Sequence, residues 1–135
     1  MRALALLACT FLVLTPLARA EDAPDAKAII SGQLDAFTHD DAKAAYDFAA
    51  PEIRDKFPDA DTFMTMVKSG YPAVYRHRSV QFGDAERDGD NIRQNVVFVD
   101  EDNRVWRGVY VLVREADGAW KIQGCALLPS DETSL

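Results

Sequence analysis

The sequence is poor in the residues on which metal sites and many enzyme mechanisms depend. Its 135 residues include two cysteines and two histidines, whereas zinc sites are usually built from several such residues. It also lacks a glycine-rich phosphate loop, a Gly-x-Ser-x-Gly nucleophile motif and a Cys–His pair in a suitable context. We therefore expect neither a metal nor a cofactor.

Basic residues are also scarce. The chain has 15 Lys and Arg against 22 Asp and Glu. Two of the basic residues and none of the acidic ones lie in the first 20 positions, so residues 21–135 carry 13 basic and 22 acidic side chains, a net charge of −9. An acidic surface repels nucleic acid and anionic lipid, which argues against nucleic-acid binding.

The first 20 residues have the three parts of a secretory signal peptide. Arg2 gives a positive start, residues 3–17 are almost wholly apolar, and Ala18-Arg19-Ala20 has the small-x-small pattern that precedes a cleavage site. The apolar run is shorter than the roughly 20 residues of a membrane-spanning helix. We predict cleavage after Ala20, release into the periplasm or the medium, and no membrane attachment afterwards.

Residues 21–129 are predicted to form one domain, and residues 130–135 a flexible tail. With Cys9 removed, Cys125 is the remaining cysteine, so the domain cannot form an internal disulfide. With 48% hydrophobic residues in the chain, an apolar core can hold the domain together.

The first half of this domain has helical periodicity. Ile30, Leu34 and Phe37 recur at the spacing of one helical face. Asp40 is expected to cap the next helix, and Gly70 is expected to end the last long one.

From Ser79 onward the hydrophobic period changes to two, which predicts strands. Turns are expected at residues 88–89, 100–103 and 117–118, and the fourth strand is expected to cover residues 119–127 and to end at Pro129. The predicted fold class is α+β, with N-terminal helices packed on a four-stranded antiparallel meander.

The third strand, residues 104–114, is apolar on both faces. Its valines alternate with a second set formed by Trp106, Tyr110 and Leu112. A strand with one solvated face should alternate apolar and polar residues, so we expect both faces to be covered. Helices can cover one face, and a second copy of the chain, in a homodimer, can cover the outer one.

Three segments resemble known families. Residues 36–46 resemble the opening of the cone-shaped nuclear-transport-factor-2-like superfamily, with a first helix, an acidic turn and an alanine-rich second helix. Residues 70–76 and 120–125 resemble the DUF4864 family of exported bacterial proteins, and the likeness extends over residues 27–129. The resemblance implies a cone-like α+β fold and export, and it carries over no catalytic residue.

Aromatic side chains are the first candidates for a site. In the superfamily that the chain resembles, the interior of the cone often holds a small apolar ligand. Aromatic residues with a few polar groups are the usual lining of such a pocket, although they also dominate ordinary cores. Both interpretations stay open for Tyr46, Phe63, Tyr71, Tyr75, Trp106 and Tyr110.

Three further features are weaker candidates. Arg76 and Arg78 form a basic concentration that could bind an anion, or could pair with nearby acids on the surface. Cys125 is either a reactive free thiol or a small buried residue. Asp47, beside the aromatic residues, is the carboxylate that could act as a proton-transfer base if it is buried.

The sequence thus favours a non-enzymatic envelope protein that binds a small apolar ligand or a protein partner. The alternative is an isomerase- or hydratase-like enzyme that uses a carboxylate in the pocket. The two hypotheses differ in whether an ionisable side chain points into a cavity.

Overall fold

The structure, a computed structural model, describes residues 24–133, with side chains described over residues 26–130. Helices form the first half and strands the second, as the change of period predicted. The helices are α1 Pro24–Thr38, α2 Ala42–Asp47, α3 Pro51–Lys56, α4 Ala60–Gly70 and α5 Pro72–Tyr75. The strands are β1 His77–Asp88, β2 Asn91–Asp100, β3 Arg104–Arg114 and β4 Trp120–Thr133.

Local signals place most helix ends. The Asp59 carboxylate accepts a hydrogen bond from the Thr62 N–H at 2.7 Å and caps α4, and α4 ends at Gly70 as expected. The prediction for α2 was wrong by one residue, because Asp41, not Asp40, caps it by accepting from the Ala44 N–H. Asp40 instead has a left-handed backbone with φ of 53°, and its carboxylate accepts hydrogen bonds from Tyr75 and Arg76.

The four strands form an antiparallel meander in the order β1-β2-β3-β4. Its three connections contain residues with positive φ, namely Gly89, Asn103 and Gly118. Glycine and asparagine tolerate that conformation best, which is why the turns were predictable from the sequence.

The end of β4 differs from the prediction. The strand continues through Pro129, which pairs with Trp106, to Thr133, which pairs with Arg104. Proline removes a backbone donor, but β4 is an edge strand, so the missing donor costs no ladder hydrogen bond on the open side. The expected end at Pro129 was therefore too early, and strand pairing includes residues that we assigned to the tail.

One face of the sheet, here the inner face, packs against the helices. Its fully buried side chains share a core with Ile30 and Phe37 of α1. The apolar ones are Ile92, Val96, Phe98, Tyr110, Leu112 and Ile122, and the polar Gln94 is also fully buried on this face. A direct backbone connection adds to this packing, because the Ala50 N–H donates to the Ile122 carbonyl and the Ile122 N–H donates to the Phe48 carbonyl, both at 2.8 Å.

The two predicted faces of β3 are confirmed. Tyr110 and Leu112 are buried on the inner face, whereas Val109, Val111 and Val113 are only half-buried on the other, here the outer face. Gly108 lies where the inner face is tightest, since a Cβ there would come within 3.1 Å of the Phe98 ring.

Candidate functional site

A cavity of about 300 Å³ lies between the helices and the C-terminal strands. Helices α1, α3, α4 and α5 form one wall, and β3 and β4 form the other. The lining residues are Gln33, Phe37, Ile53, Lys56, Phe57, Phe63, Met66, Val67, Tyr71, Val74, Tyr110, Ile122, Gln123, Gly124 and Cys125. Its volume lies at the lower end of the range of small-molecule sites.

Aromatic rings form the rigid part of the cavity wall. The centroid of the Phe63 ring lies 6.3 Å from those of both Phe37 and Phe57. Tilted and edge-to-face pairs at this separation are favourable arrangements of aromatic rings. The wall is therefore held in shape by contacts among rings from α1, α4 and the end of α3.

Two of the polar side chains that line the cavity are buried, but they differ in their hydrogen bonding. Gln33 is directed to the helix layer, where its Nε2 donates to the Ala45 carbonyl at 3.2 Å. Tyr110 is only 1% exposed, and no described residue meets hydrogen-bond geometry with its hydroxyl oxygen. Tyr110 thus places an unpartnered polar atom at the cavity.

Cys125 lies next to Tyr110, because the two residues are partners across β3 and β4. Burial raises the pKa of the Cys125 thiol to about 12, and an interaction with the Tyr110 hydroxyl offsets this only in part. Burial likewise raises the pKa of Tyr110 well above its usual value, with a further contribution from the neighbouring thiol. Both groups therefore stay protonated at neutral pH.

Half of the predicted aromatic residues line the cavity. Phe63, Tyr71 and Tyr110 are brought together there. The remaining three direct their polar atoms elsewhere. Tyr46 donates to the Phe57 carbonyl at 2.6 Å, Trp106 donates to the Asp100 carboxylate at 2.9 Å, and Tyr75 donates to Asp40.

Asp47 does not reach the cavity. Its side chain is 54% exposed and lies 3.3 Å from the Lys43 ammonium and 3.7 Å from the Arg54 guanidinium. Within residues 26–130, where side chains are described, no carboxylate lines the cavity. The arrangement therefore offers no buried carboxylate base for a proton transfer inside it.

Arg76 is bound within the molecule. One of its nitrogens, Nη2, lies 2.9 Å from both carboxylate oxygens of Asp40, and Nη1 donates to the Phe37 carbonyl at 2.8 Å. Its guanidinium also lies 4.0 Å from the centre of the Tyr75 ring. Arg78 is directed to Asn103 instead, so the two arginines have separate partners, and the anion site stays a prediction.

Several cavity residues were not singled out from the sequence. The sequence places Phe37 in the apolar stripe of α1, and Gln33 lies three residues after Ile30 and thus on the same face. That polar residue within an apolar stripe was a usable signal. Phe57 and Met66 carried no signal that would distinguish a cavity wall from ordinary core.

Fold and site together define an α+β domain with an apolar cavity between its helices and its sheet. The chain belongs to the DUF4864 family, described as a domain of unknown function, which matches residues 19–135. The chain has no match among curated proteins. Over the residues described, no helix is both long and apolar enough to cross a membrane, and no three His, Cys, Asp or Glu side chains cluster as metal ligands would.

Proposed function

We propose that this protein is a non-enzymatic binding protein whose cavity holds a small apolar ligand. The observation that carries the proposal is the cavity of about 300 Å³, whose walls are mainly apolar and aromatic. An apolar cavity with few, localised polar groups is the usual form of a small-molecule site. The competing enzyme hypothesis needs a carboxylate in the cavity, and Asp47 lies outside it.

We also propose that the protein works outside the cytoplasm and that its fold is of the nuclear-transport-factor-2-like type. The predicted signal peptide falls outside the described residues. The start of the family match at residue 19, next to the predicted cleavage site after Ala20, supports export. The order of helices followed by a four-stranded meander supports the cone-like fold.

The test is native mass spectrometry of residues 21–135 purified from the periplasm. We expect a co-purified small mass on the wild-type protein. Val67→Phe should remove it, because Val67 is buried and lines the cavity, so the larger ring would fill the space. The matched control is Thr65→Phe, which places the same ring on the exposed side of the same helix. An empty wild-type spectrum, or equal retention by both variants, would contradict ligand binding in this cavity.

A second proposal concerns the outer face of the sheet. Val97, Val99, Val109, Val111 and Val113 are half-buried there, and Leu128 on the same face is 66% exposed. Val109, Val111 and Val113 form a valine stripe along β3 that is flanked by polar residues of β2, since Val109 lies opposite Asn95 and Val111 opposite Arg93. An apolar patch with a polar rim is typical of a surface covered by a partner. We propose a second copy as that partner, because a two-fold axis places the valine stripe against itself.

Light scattering of residues 21–135 tests the dimer. Wild-type protein should have the mass of a dimer at high micromolar concentration, and Val111→Lys should have that of a monomer. Arg93 lies directly opposite Val111, so the added ammonium would have a like charge as its neighbour, and a buried unpaired charge opposes association. Thr65→Lys is the matched control and should stay dimeric, because Thr65 is exposed on α4, in the helix layer that covers the other face of the sheet. Monomeric wild-type protein would refute this proposal without affecting ligand binding.

A further inference from the structure

The hydroxyl group of Tyr110 gives the most information about the ligand that the cavity would hold. Among the described side chains, three have a buried polar atom without a partner, and Tyr110 is the member of that set that lines the cavity. The Cys125 thiol is close enough to affect the pKa of Tyr110 but does not meet hydrogen-bond geometry with its oxygen. Folded proteins rarely leave such a group unsatisfied, so its position calls for a partner from outside the chain.

We propose that the ligand is an uncharged molecule that presents a carbonyl-type hydrogen-bond acceptor to the Tyr110 hydroxyl. This inference rests on the proposed binding function. A phenol is a better donor than acceptor, because its oxygen lone pair is delocalised into the ring. Since burial keeps Tyr110 protonated, its proton is available to an acceptor on the ligand.

The surroundings of Tyr110 argue against a charged head group. Lys56 is the charged residue among the described lining residues, and it is exposed. A carboxylate placed beside Tyr110 would have a phenol and a protonated thiol as neighbours and no buried cation. Burying an ion without a compensating charge is strongly unfavourable, whereas a neutral carbonyl needs only the one donor.

The volume limits the size of the ligand. At the packing density of a protein interior, a cavity of about 300 Å³ holds roughly fifteen non-hydrogen atoms. An aryl ketone, or a short aliphatic ketone, ester or lactone, lies within that limit. The apolar part would contact the rings of Phe37, Phe57 and Phe63 while the carbonyl oxygen faces Tyr110.

Acetophenone and α-methylstyrene are a matched pair of probes. They have the same shape and differ in one group, a carbonyl oxygen against a methylene. Each is titrated by NMR into residues 21–135 of the wild type, of Tyr110→Phe and of Tyr71→Phe. In Tyr110→Phe the preference for acetophenone over α-methylstyrene should fall about five-fold, the value of one neutral hydrogen bond. In Tyr71→Phe, which removes a hydroxyl from the helical wall of the same cavity, the preference should stay unchanged.

The outcomes separate this inference from the proposed function. If neither probe binds the wild type, ligand binding in the cavity fails. If both bind but Tyr110→Phe leaves their ratio unchanged, or if Tyr71→Phe changes it, only the assignment of the acceptor to Tyr110 is overturned. Tighter binding of benzoate than of acetophenone would overturn the uncharged head group.

A further measurement uses the wild type alone, so its result does not depend on whether Tyr110→Phe folds. The carbonyl carbon of bound, labelled acetophenone should resonate downfield of its position in an apolar solvent, because a ketone that accepts a hydrogen bond shifts downfield. A bound carbonyl with the chemical shift found in an apolar solvent would overturn the inference.

Discussion

Two tyrosines of this protein have opposite environments. Tyr75 donates its hydroxyl proton to Asp40, whose carboxylate also accepts from Arg76. Tyr110 has a buried hydroxyl without a partner in the described part of the chain. The first arrangement, the structural cluster of Asp40, Tyr75 and Arg76, connects the α1–α2 turn to the end of α5 and is complete. The second is incomplete within the chain, which is the expected difference between a structural cluster and a binding site.

Cysteine reactivity should show the largest difference between the cavity and the region of the structural cluster. Because the pKa of Cys125 is raised to about 12, its thiolate fraction at pH 8 is roughly 1,000-fold below that of an ordinary thiol. Alkylation by iodoacetamide, followed by mass spectrometry, should be slower by about that factor than in urea-unfolded protein. The comparison is Ser79→Cys in the Cys125→Ser background. Ser79 is exposed on β1, four residues after Tyr75 in the chain, so a thiol there should react at the ordinary rate. Equal rates at the two positions would contradict the burial of the Cys125 thiol.

Removing Arg76 should destabilise the structural cluster. Arg76→Ala loses the hydrogen bond to the Phe37 carbonyl and the stacking on Tyr75, so we expect a loss of about 1–2 kcal/mol in the free energy of unfolding. Urea denaturation measures it. Arg78→Ala, two residues away and exposed, should cost less than about 0.5 kcal/mol. Equal losses would show that Arg76 has no special structural role.

The same substitution should have opposite signs at the two tyrosines. Tyr110→Phe removes an unsatisfied hydroxyl and should raise the melting temperature of the ligand-free protein by roughly 4 °C, equivalent to about 1 kcal/mol. Tyr75→Phe removes a satisfied one and should lower it. Differential scanning calorimetry measures the melting temperatures of the two variants. A loss of stability in Tyr110→Phe would mean that the wild-type Tyr110 hydroxyl has a partner inside the protein.

Acid should weaken the structural cluster more than the cavity. The hydrogen bond from Tyr75, then that from Arg76 and its charge, hold the pKa of Asp40 below its usual value of 3.8. Asp40 therefore contributes stability that is complete above pH 3.8 and is lost as the pH falls through the lower folded value. Unfolding curves measured from pH 6 to pH 2 should fall less steeply for Asp40→Asn than for the wild type. Parallel curves would exclude this contribution.

Much of the fold could be predicted from the sequence because its signals are local. Asp59 and Gly70 mark the two ends of α4 through their own side-chain and backbone chemistry. Gly89 and Gly118 do the same for the hairpins, where a positive φ is required. The short helix α5 also has a local signal, because Pro72 stands at its first position. The continuation of β4 past Pro129 carried no such signal, since it depends on pairing with β3.

The candidate site was predictable only in part. Aromatic content indicated a core or a pocket, and three of the six named residues line the cavity. The sequence does not distinguish Tyr75 from Tyr110, because a tyrosine hydroxyl is satisfied or not according to which distant groups approach it. Asp40 approaches Tyr75 from 35 residues away, whereas Tyr110 lies between Gln94 and Cys125 in the sheet and its hydroxyl has a hydrogen bond to neither.

The sequence by itself determined the order of the elements, the turns and the two faces of β3, because hydrophobic period and turn chemistry act over a few neighbouring residues. Tertiary structure decided which side chains meet. Strand register placed Tyr110 between Gln94 and Cys125, and the packing of the helices left the cavity beside it. Contacts of this kind join residues far apart in the chain, and no local pattern encodes them.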